Sequence, residues 1–411
     1  MKKSVYLGVI ALATLSLTSC LKDEVVESIP QNDAIEFGTY LGRNVSTRGT
    51  VTDNDFDQFG VVAFYSGQTF WAEYKTYNTS TPNFMYNQAV NAATTTVNGQ
   101  DVKTWSYNPK KYWPTTKSDK ITFFAFAPME ATGNEPNGIT LSANNATGTP
   151  TVTYEIDEDN LENMADFVAD ALIDQTKNGD NETPDPDPRT VAFKLNHELT
   201  RVAITAKLDR DAWSTTENTD KTKVNIKDIV FVASDEFATK AVYTFANDND
   251  VTTPSAKTIR GTWSNWENTD DDNNLNIANL LKTTAASDLG GYTTDGILIP
   301  NDEDVELFKD TQYLFLIPRG ESGISADGKV KIQVTYDIVT VDSKLSTGHS
   351  VTETTKIIEL PAGTLRQGVA YNLELTFGLN EIQLEATVKD DWNTSTSTPQ
   401  NVDWPKTDAQ N

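Results

Sequence analysis

A single cysteine, Cys20, stands in 411 residues, so no disulfide can form within the chain. There are two histidines, His197 and His349, and neither lies in a zinc-binding spacing such as HExxH. The sequence has no GxSxG nucleophile elbow, no Walker loop and no nucleotide-binding glycine motif, and nothing in it calls for a cofactor. Acidic neighbours such as Asp302-Glu303 are too common in so acidic a chain to mark paired catalytic carboxylates. The expectation is a protein that is not an enzyme. Basic residues are also scarce, 33 Lys and Arg against 59 Asp and Glu, a formal net charge of -26. That surface repels phosphate backbones and anionic headgroups, which excludes nucleic acid as a partner and argues against a polybasic membrane contact. Beyond the first twenty residues no apolar run is long enough to span a bilayer.

The one apolar run is informative. Lys2 and Lys3 form a short basic stretch, and Val5 to Leu17 is apolar apart from Thr14 and Ser16, the layout of a secretory signal. Leu17-Thr18-Ser19-Cys20 resembles a bacterial lipobox, in which small residues let a peptidase seat the backbone and the thiol takes a diacylglycerol. The expectation is a signal peptide over residues 1–19, acylation at Cys20, and an anchor in outer-membrane lipid. Lys22, Asp23 and Glu24 resemble the charged tag that exports some lipoproteins to the outer face of that membrane. Losing residues 1–19 removes two lysines and no acid, leaving a charge of -28.

The rest of the chain has the period of strands. Val330, Ile332, Val334, Tyr336 and Ile338 alternate with polar residues, as do Tyr371, Leu373, Leu375 and Phe377. Ile382, Leu384, Ala386 and Val388 do the same. A period of two puts one face on a core and one in water. Val191, Phe193, Leu195, His197 and Leu199 form another row, whose phase shifts at Arg201 before Val202, Ile204, Ala206 and Leu208 continue it. Such a shift predicts a bulge or bend. Val61–Tyr65, Phe123–Ala127 and Tyr313–Ile317 read as central strands. Short helices are tolerated only over Asn160–Ile173 and Asn276–Leu281. Asn178–Arg189, with its repeated Asp-Pro, reads as an interdomain linker.

The predicted organisation is all-β: two β-sandwich domains of mainly antiparallel strands. An acylated linker over 20–33 leads to an N-terminal sandwich over 34–187, a C-terminal sandwich over 188–392, and a polar tail over 393–411. Asp174, Asn178 and Gly179 fall at the offsets of a calcium loop, but Thr176 stands at the middle ligand position and no helix pair flanks them, so the segment reads as a solvated loop. His197, on the apolar face of a strand, reads as a satisfied core residue rather than a ligand.

Several motifs carry a family resemblance. Val191 to Val202 resembles a strand that opens the second domain of fimbrillin-like (type V pilin) proteins, with Phe193 four residues before His197 rather than two. Trp105-Ser-Tyr107, Tyr112-Trp113-Pro114 and Ile121 to Pro128 resemble the aromatic signature of the first domain. Leu316-Ile317-Pro318, Gly368 to Tyr371 and the close at Val388 to Trp392 resemble the carboxy-terminal half. The resemblance implies transthyretin-like sandwiches and a surface fimbria built from like or related subunits by strand exchange. It further implies an amino-terminal strand that plugs a groove until an arginine-specific protease cuts behind it. Here the plug is Ala34–Leu41, with Ile35, Phe37 and Leu41 along one face, and the cut falls after Arg48 or Arg43. The donor is expected over Ile382, Leu384, Ala386 and Val388 with Trp392 and Trp404 as anchors. The alternative is that 381–392 closes its own domain and only the tail is donated. The competing function is a lipid-anchored glycan-binding protein of a polysaccharide-uptake system, using tryptophan and tyrosine rings to stack on sugars.

Overall fold

The computed structural model describes residues 34–41, 57–97, 100–130, 138–177, 190–209, 221–232, 237–246, 260–268, 274–284, 289–293, 296–300, 303–309, 312–325, 330–378 and 382–391. Four sheets make up the described residues. The first is seven-stranded and contains β1 (Glu36–Leu41), β2 (Gln58–Gly67), β3 (Met85–Val97), β4 (Gln100–Ser106), β5 (Lys120–Ala127), β8 (Val168–Gln175) and β9 (Thr190–His197). Their order is β1-β9-β8-β5-β2-β3-β4. A four-stranded sheet lies against it, built from β6 (Ile139–Leu141), β7 (Thr151–Glu155), β12 (Lys240–Thr244) and β13 (Thr262–Glu267), in the order β13-β12-β7-β6.

The second pair of sheets is formed by the later chain. One holds β10 (Thr200–Leu208), β16 (Val305–Glu306), β17 (Leu314–Leu316), β20 (Val369–Phe377) and β21 (Ile382–Asp391). The other holds β11 (Thr222–Val232), β14 (Asn274–Asn276), β15 (Ile297–Ile299), β18 (Lys331–Val341) and β19 (His349–Glu359). The two face each other, with Tyr336 of β18 edge-on to Phe377 of β20 at 5.1 Å. The alternating residues of β18, β20 and β21 point into this core as their period predicts: Val334, Leu373, Leu375 and Ala386 are all buried. Two of the three strands with continuous apolar runs, β2 and β5, are neighbours in the middle of the seven-stranded sheet and are buried on both faces, whereas the third, β17, is a three-residue strand that among the described residues pairs with β10 alone.

Sheet membership differs from the sequence reading in two places. The strand from Thr190, expected to open the second domain, pairs with β8 and β1 in the first sheet. The phase shift marks the passage from one sheet to another: Val191, Phe193 and Leu195 face one core, while Leu199, Val202 and Ile204 face a second. The crossing therefore lies at Glu198-Leu199 and not at residues 187/188. The proline-rich stretch 178–189, which itself lies outside the described residues, joins two neighbouring strands of one sheet and not two domains. Moreover β12 and β13, from beyond the crossing, complete the sheet that covers the first sandwich. Phe245 meets Phe124 at 5.3 Å and Phe126 at 6.2 Å, and Tyr243 and Trp263 meet Phe167 at 5.2 Å and 6.0 Å. One apolar core thus runs from Val62 and Phe124 through Tyr243 into the second sandwich at Val202 and Tyr336.

Among the described residues, helix is confined to short turns. Asn160–Ile173 is a 3-10 turn at Glu158–Asn163 followed by β8, and Ala278–Leu280 is a second such turn. An unexpected single turn of α-helix, α1 (Trp71–Tyr74), has no cap from its own N-cap residue, Phe70. Asp174 supplies one from β8: its carboxylate accepts the Trp71 N–H at 2.8 Å. The same carboxylate was the first position of the calcium spacing; Asn178 and Gly179 lie outside the described residues. Asp174→Ala is expected to cost about 1–2 kcal/mol, the loss of a helix cap, whereas Asp174→Asn keeps the acceptor; urea unfolding of the two variants measures the difference.

Candidate assembly site

The strand Glu36–Leu41 is held from several sides. Its backbone pairs in parallel with β9 over six positions, Glu36↔Thr190 to Leu41↔Leu195. Just before it, Ala34 bridges Tyr112, and the Ile35 N–H donates to the Lys111 carbonyl at 2.9 Å. The Tyr107 hydroxyl donates to the Ile35 carbonyl at 2.9 Å. Burial raises the Tyr107 pKa above the ordinary tyrosine value, which keeps that hydroxyl a donor. The side chains of Ile35 and Phe37 are buried, while Glu36 between them is exposed, the alternation that the plug reading requires. Of Leu41 only the backbone register is described.

Phe37 enters a ring-lined hollow on the face of the first sheet turned away from the four-stranded one. Its ring lies 5.0 Å from Tyr107, stacks on Phe193 at 5.8 Å, and meets Phe123 and Phe59 edge-on at 6.0 Å and 6.3 Å. Trp113 closes the hollow against Phe123, and Trp105 lies edge-on to Phe59. The Trp-x-Tyr and Tyr-Trp-Pro segments, read from sequence as a signature of the first domain, thus seat this one strand. Their spacing was visible; that they converge on Ile35 and Phe37, some seventy residues earlier, was not. Burying Ile35 and Phe37 contributes about 1.5–3 kcal/mol each, and each ladder hydrogen bond about 0.5–1.5 kcal/mol net.

The expected donor residues are placed in their own chain. β21 pairs antiparallel with β20, from Phe377↔Ile382 to Val369↔Asp391. Ile382, Ala386 and Val388 are buried and Leu384 packs against the same core. In this single chain, residues 382–391 thus close the sheet of their own domain. Trp392, Trp404, Cys20, Lys22, Asp23, Glu24, Arg43 and Arg48 lie outside the described residues.

The two sandwiches meet around buried polar groups. His197 bonds through Nδ1 to the Asp166 carboxylate at 2.7 Å, both buried, the satisfied core histidine that its strand position predicts. The next residue, Glu198, is 1% exposed and sits at the crossing. Its carboxylate accepts from Gln367, its carbonyl accepts from Trp263 Nε1 at 2.9 Å, and Arg260 donates to the Gln367 carbonyl. Burial pushes the Glu198 carboxyl up to about 8, although Arg260, Gln367 and Tyr243 act to lower it. Asp170, on β8, accepts the N–H groups of Lys194 and Ala171 and is likewise pushed by burial to about 7. Gly261 passes beneath Tyr243 so closely that a Cβ there would lie 2.4 Å from the ring. Nothing in the sequence pointed to this network, because Glu198 and Gln367 are 169 residues apart. Among the described residues no group of three or more His, Cys, Asp or Glu is arranged to hold a metal ion.

A family model described as fimbrillin-like matches residues 45–392. The chain belongs to the fimbrillin-like family. It is 33% identical over 396 residues to fimbrium subunit Fim1C of Phocaeicola vulgatus, covering 92% of this chain and 93% of that protein. A crystal structure of a fimbrial protein from Bacteroides vulgatus superposes with a TM-score of 0.66 at 28% identity, over 88% of this chain and all of that one. Fimbrillin-like membership agrees with the all-β architecture.

Proposed function

We propose that this chain is a structural subunit of a cell-surface fimbria, exported as a lipoprotein acylated at Cys20 and assembled by protease-triggered strand exchange. The observation that carries the reading is β1. It is an edge strand with two buried side chains in a ring-lined hollow, and it is followed in sequence by Arg43 and Arg48. Cutting there frees β1 from the rest of the chain, and its departure leaves the β9 edge and the Phe59–Phe123–Phe193 hollow open to a strand with the same alternation. Because Ile382, Ala386 and Val388 lie in their own core, the donor is the tail over 393–411, with Trp404 as its large anchor. For the glycan-binding alternative, Tyr107 and Trp113 are buried against β1 and its surroundings and Trp105 is half-buried, which leaves exposed rings such as Tyr112, Tyr86 and Trp266 to stack on a sugar.

Cleavage by an arginine-specific protease is expected to release a fragment ending at Arg43 or Arg48 and to start polymer formation, seen as a heat-sensitive ladder on gels. Combined Arg43→Ala and Arg48→Ala replacement is expected to leave the subunit folded and monomeric under the same protease. A chain truncated before Asn393 is expected to fold, lose its β1 on cleavage, and stay out of the ladder. Normal ladders from the truncated chain would remove the tail from the mechanism. Fatty-acid labelling of cells, with Cys20→Ala as control, tests the anchor.

A further inference from the structure

The outer edge of β19 is built for pairing. β19 is eleven residues long and ends the sheet order β14-β11-β18-β19, and among the described residues no strand pairs with its outer side. Its register with β18 is unbroken over all eleven positions, from Lys331↔Glu359 to Val341↔His349. It contains no proline and no bulge, two of the devices that usually blunt an exposed edge. One face carries Val351 and Ile357, 43% and 58% exposed. The acids on that same face are engaged within the chain: Glu353 with Lys227 at 2.7 Å and Glu359 with Lys331 at 3.2 Å. In a protein with a net charge of -26, this is a place where a second copy meets little uncompensated negative charge.

We propose that β19 pairs antiparallel with β19 of a second copy about a two-fold axis at Thr354. The sequence complements itself in that register. Val351 of one copy lies opposite Ile357 of the other, twice, and His349 lies opposite Glu359, twice. The side chains exposed on the monomer thus cover each other, and the backbone groups of both edges find partners. The contact is isologous, so it joins subunits in pairs; it is distinct from a head-to-tail strand exchange and does not depend on it. It joins neighbouring fimbriae side by side, or two subunits at one cell surface.

In the two-fold register Thr354 faces its own copy, so one substituted cysteine reports the geometry. Thr354→Cys, in the chain produced and processed by its own cells, is expected to give a disulfide-linked dimer on mild oxidation. Moving the cysteine to Ser350, or adding Ile357→Lys to Thr354→Cys, is expected to reduce that dimer about tenfold, equivalent to about 1.4 kcal/mol. Sedimentation of the otherwise unaltered protein provides the second measurement: dimers that Val351→Lys dissociates support the contact. No dimer at Thr354 and none in sedimentation would overturn the proposal, as would a dimer indifferent to Ile357→Lys or a cross-link only to a different protein. Repeating the oxidation in the chain truncated before Asn393 separates this contact from strand donation, since the β19 dimer is expected to persist there.

Discussion

Phe37→Ala is expected to lower the stability of the first sandwich by about 3–5 kcal/mol, the range for deleting a buried phenylalanine side chain, and to loosen β1 selectively. The ring meets four others in the hollow, and aromatic pairs add about 0.5–1.5 kcal/mol each beyond their burial. The sheet beneath β1 does not depend on it for continuity, because β1 is the last strand on its side. The loss therefore falls mainly on the attachment of this strand. Hydrogen exchange in Glu36–Leu41 and β9 is expected to accelerate well before exchange in β2 and β5. If β1 is the plug, the variant also polymerises faster after cleavage, since departure of β1 has become easier. Glu36→Ala, at an exposed position of the same strand, is expected to stay within about 0.5 kcal/mol. Equal effects from the two substitutions would mean that the ring-lined hollow does not hold the strand.

The second large effect concerns pH. Glu198 and Asp170 have folded-state pKa values of about 8 and about 7, raised by burial, whereas in the unfolded chain both titrate in the ordinary carboxylate range. A carboxyl whose folded pKa is raised stabilises the fold in its protonated form. Its contribution is fully present below about pH 4 and is lost as pH rises through 7 to 8. The groups around Glu198 are Arg260, Gln367 and Tyr243, with Asp170 adding negative charge. Glu198→Gln keeps an oxygen to accept from Gln367 and removes the charge. It is expected to raise stability at pH 8 by up to several kcal/mol, at about 1.4 kcal/mol for each tenfold change in proton affinity, and to leave stability at pH 4 nearly unchanged. Unfolding midpoints of the two proteins across pH 4–9 are expected to converge at the acid end. Parallel curves would show that the Glu198 carboxylate keeps an ordinary pKa at the crossing.

Much of the architecture was readable because burial on one face writes itself into alternate residues. Tyr371 to Phe377 and Val330 to Ile338 are strands for that reason, and His197, in phase with Phe193 and Leu195, is a satisfied core residue. The same signal says which face is buried but not which sheet a strand joins. Period alone therefore puts Thr190–His197 with the second sandwich, whereas its pairing with β8 and β1 puts it in the first sheet. β19 left no apolar period because both its faces are largely outside the core. The first strand was legible as Ile35 and Phe37, yet its seat at Tyr107 and Trp113 was not, since periodicity carries no information about which distant segments converge.

The crossing at Glu198 and the return of β12 and β13 over the first sandwich bear on how the subunit carries load. Were the halves two beads on a string, tension along the chain would draw on the string alone. Here β12 pairs with β7 from Thr151 to Glu155, so separating the halves means breaking a ladder between strands from either side of the crossing while Tyr243, Phe245 and Trp263 leave their ring contacts. Survival under pull is governed by the rate of unfolding rather than by equilibrium stability, and interlocked ladders that must break together make that rate small.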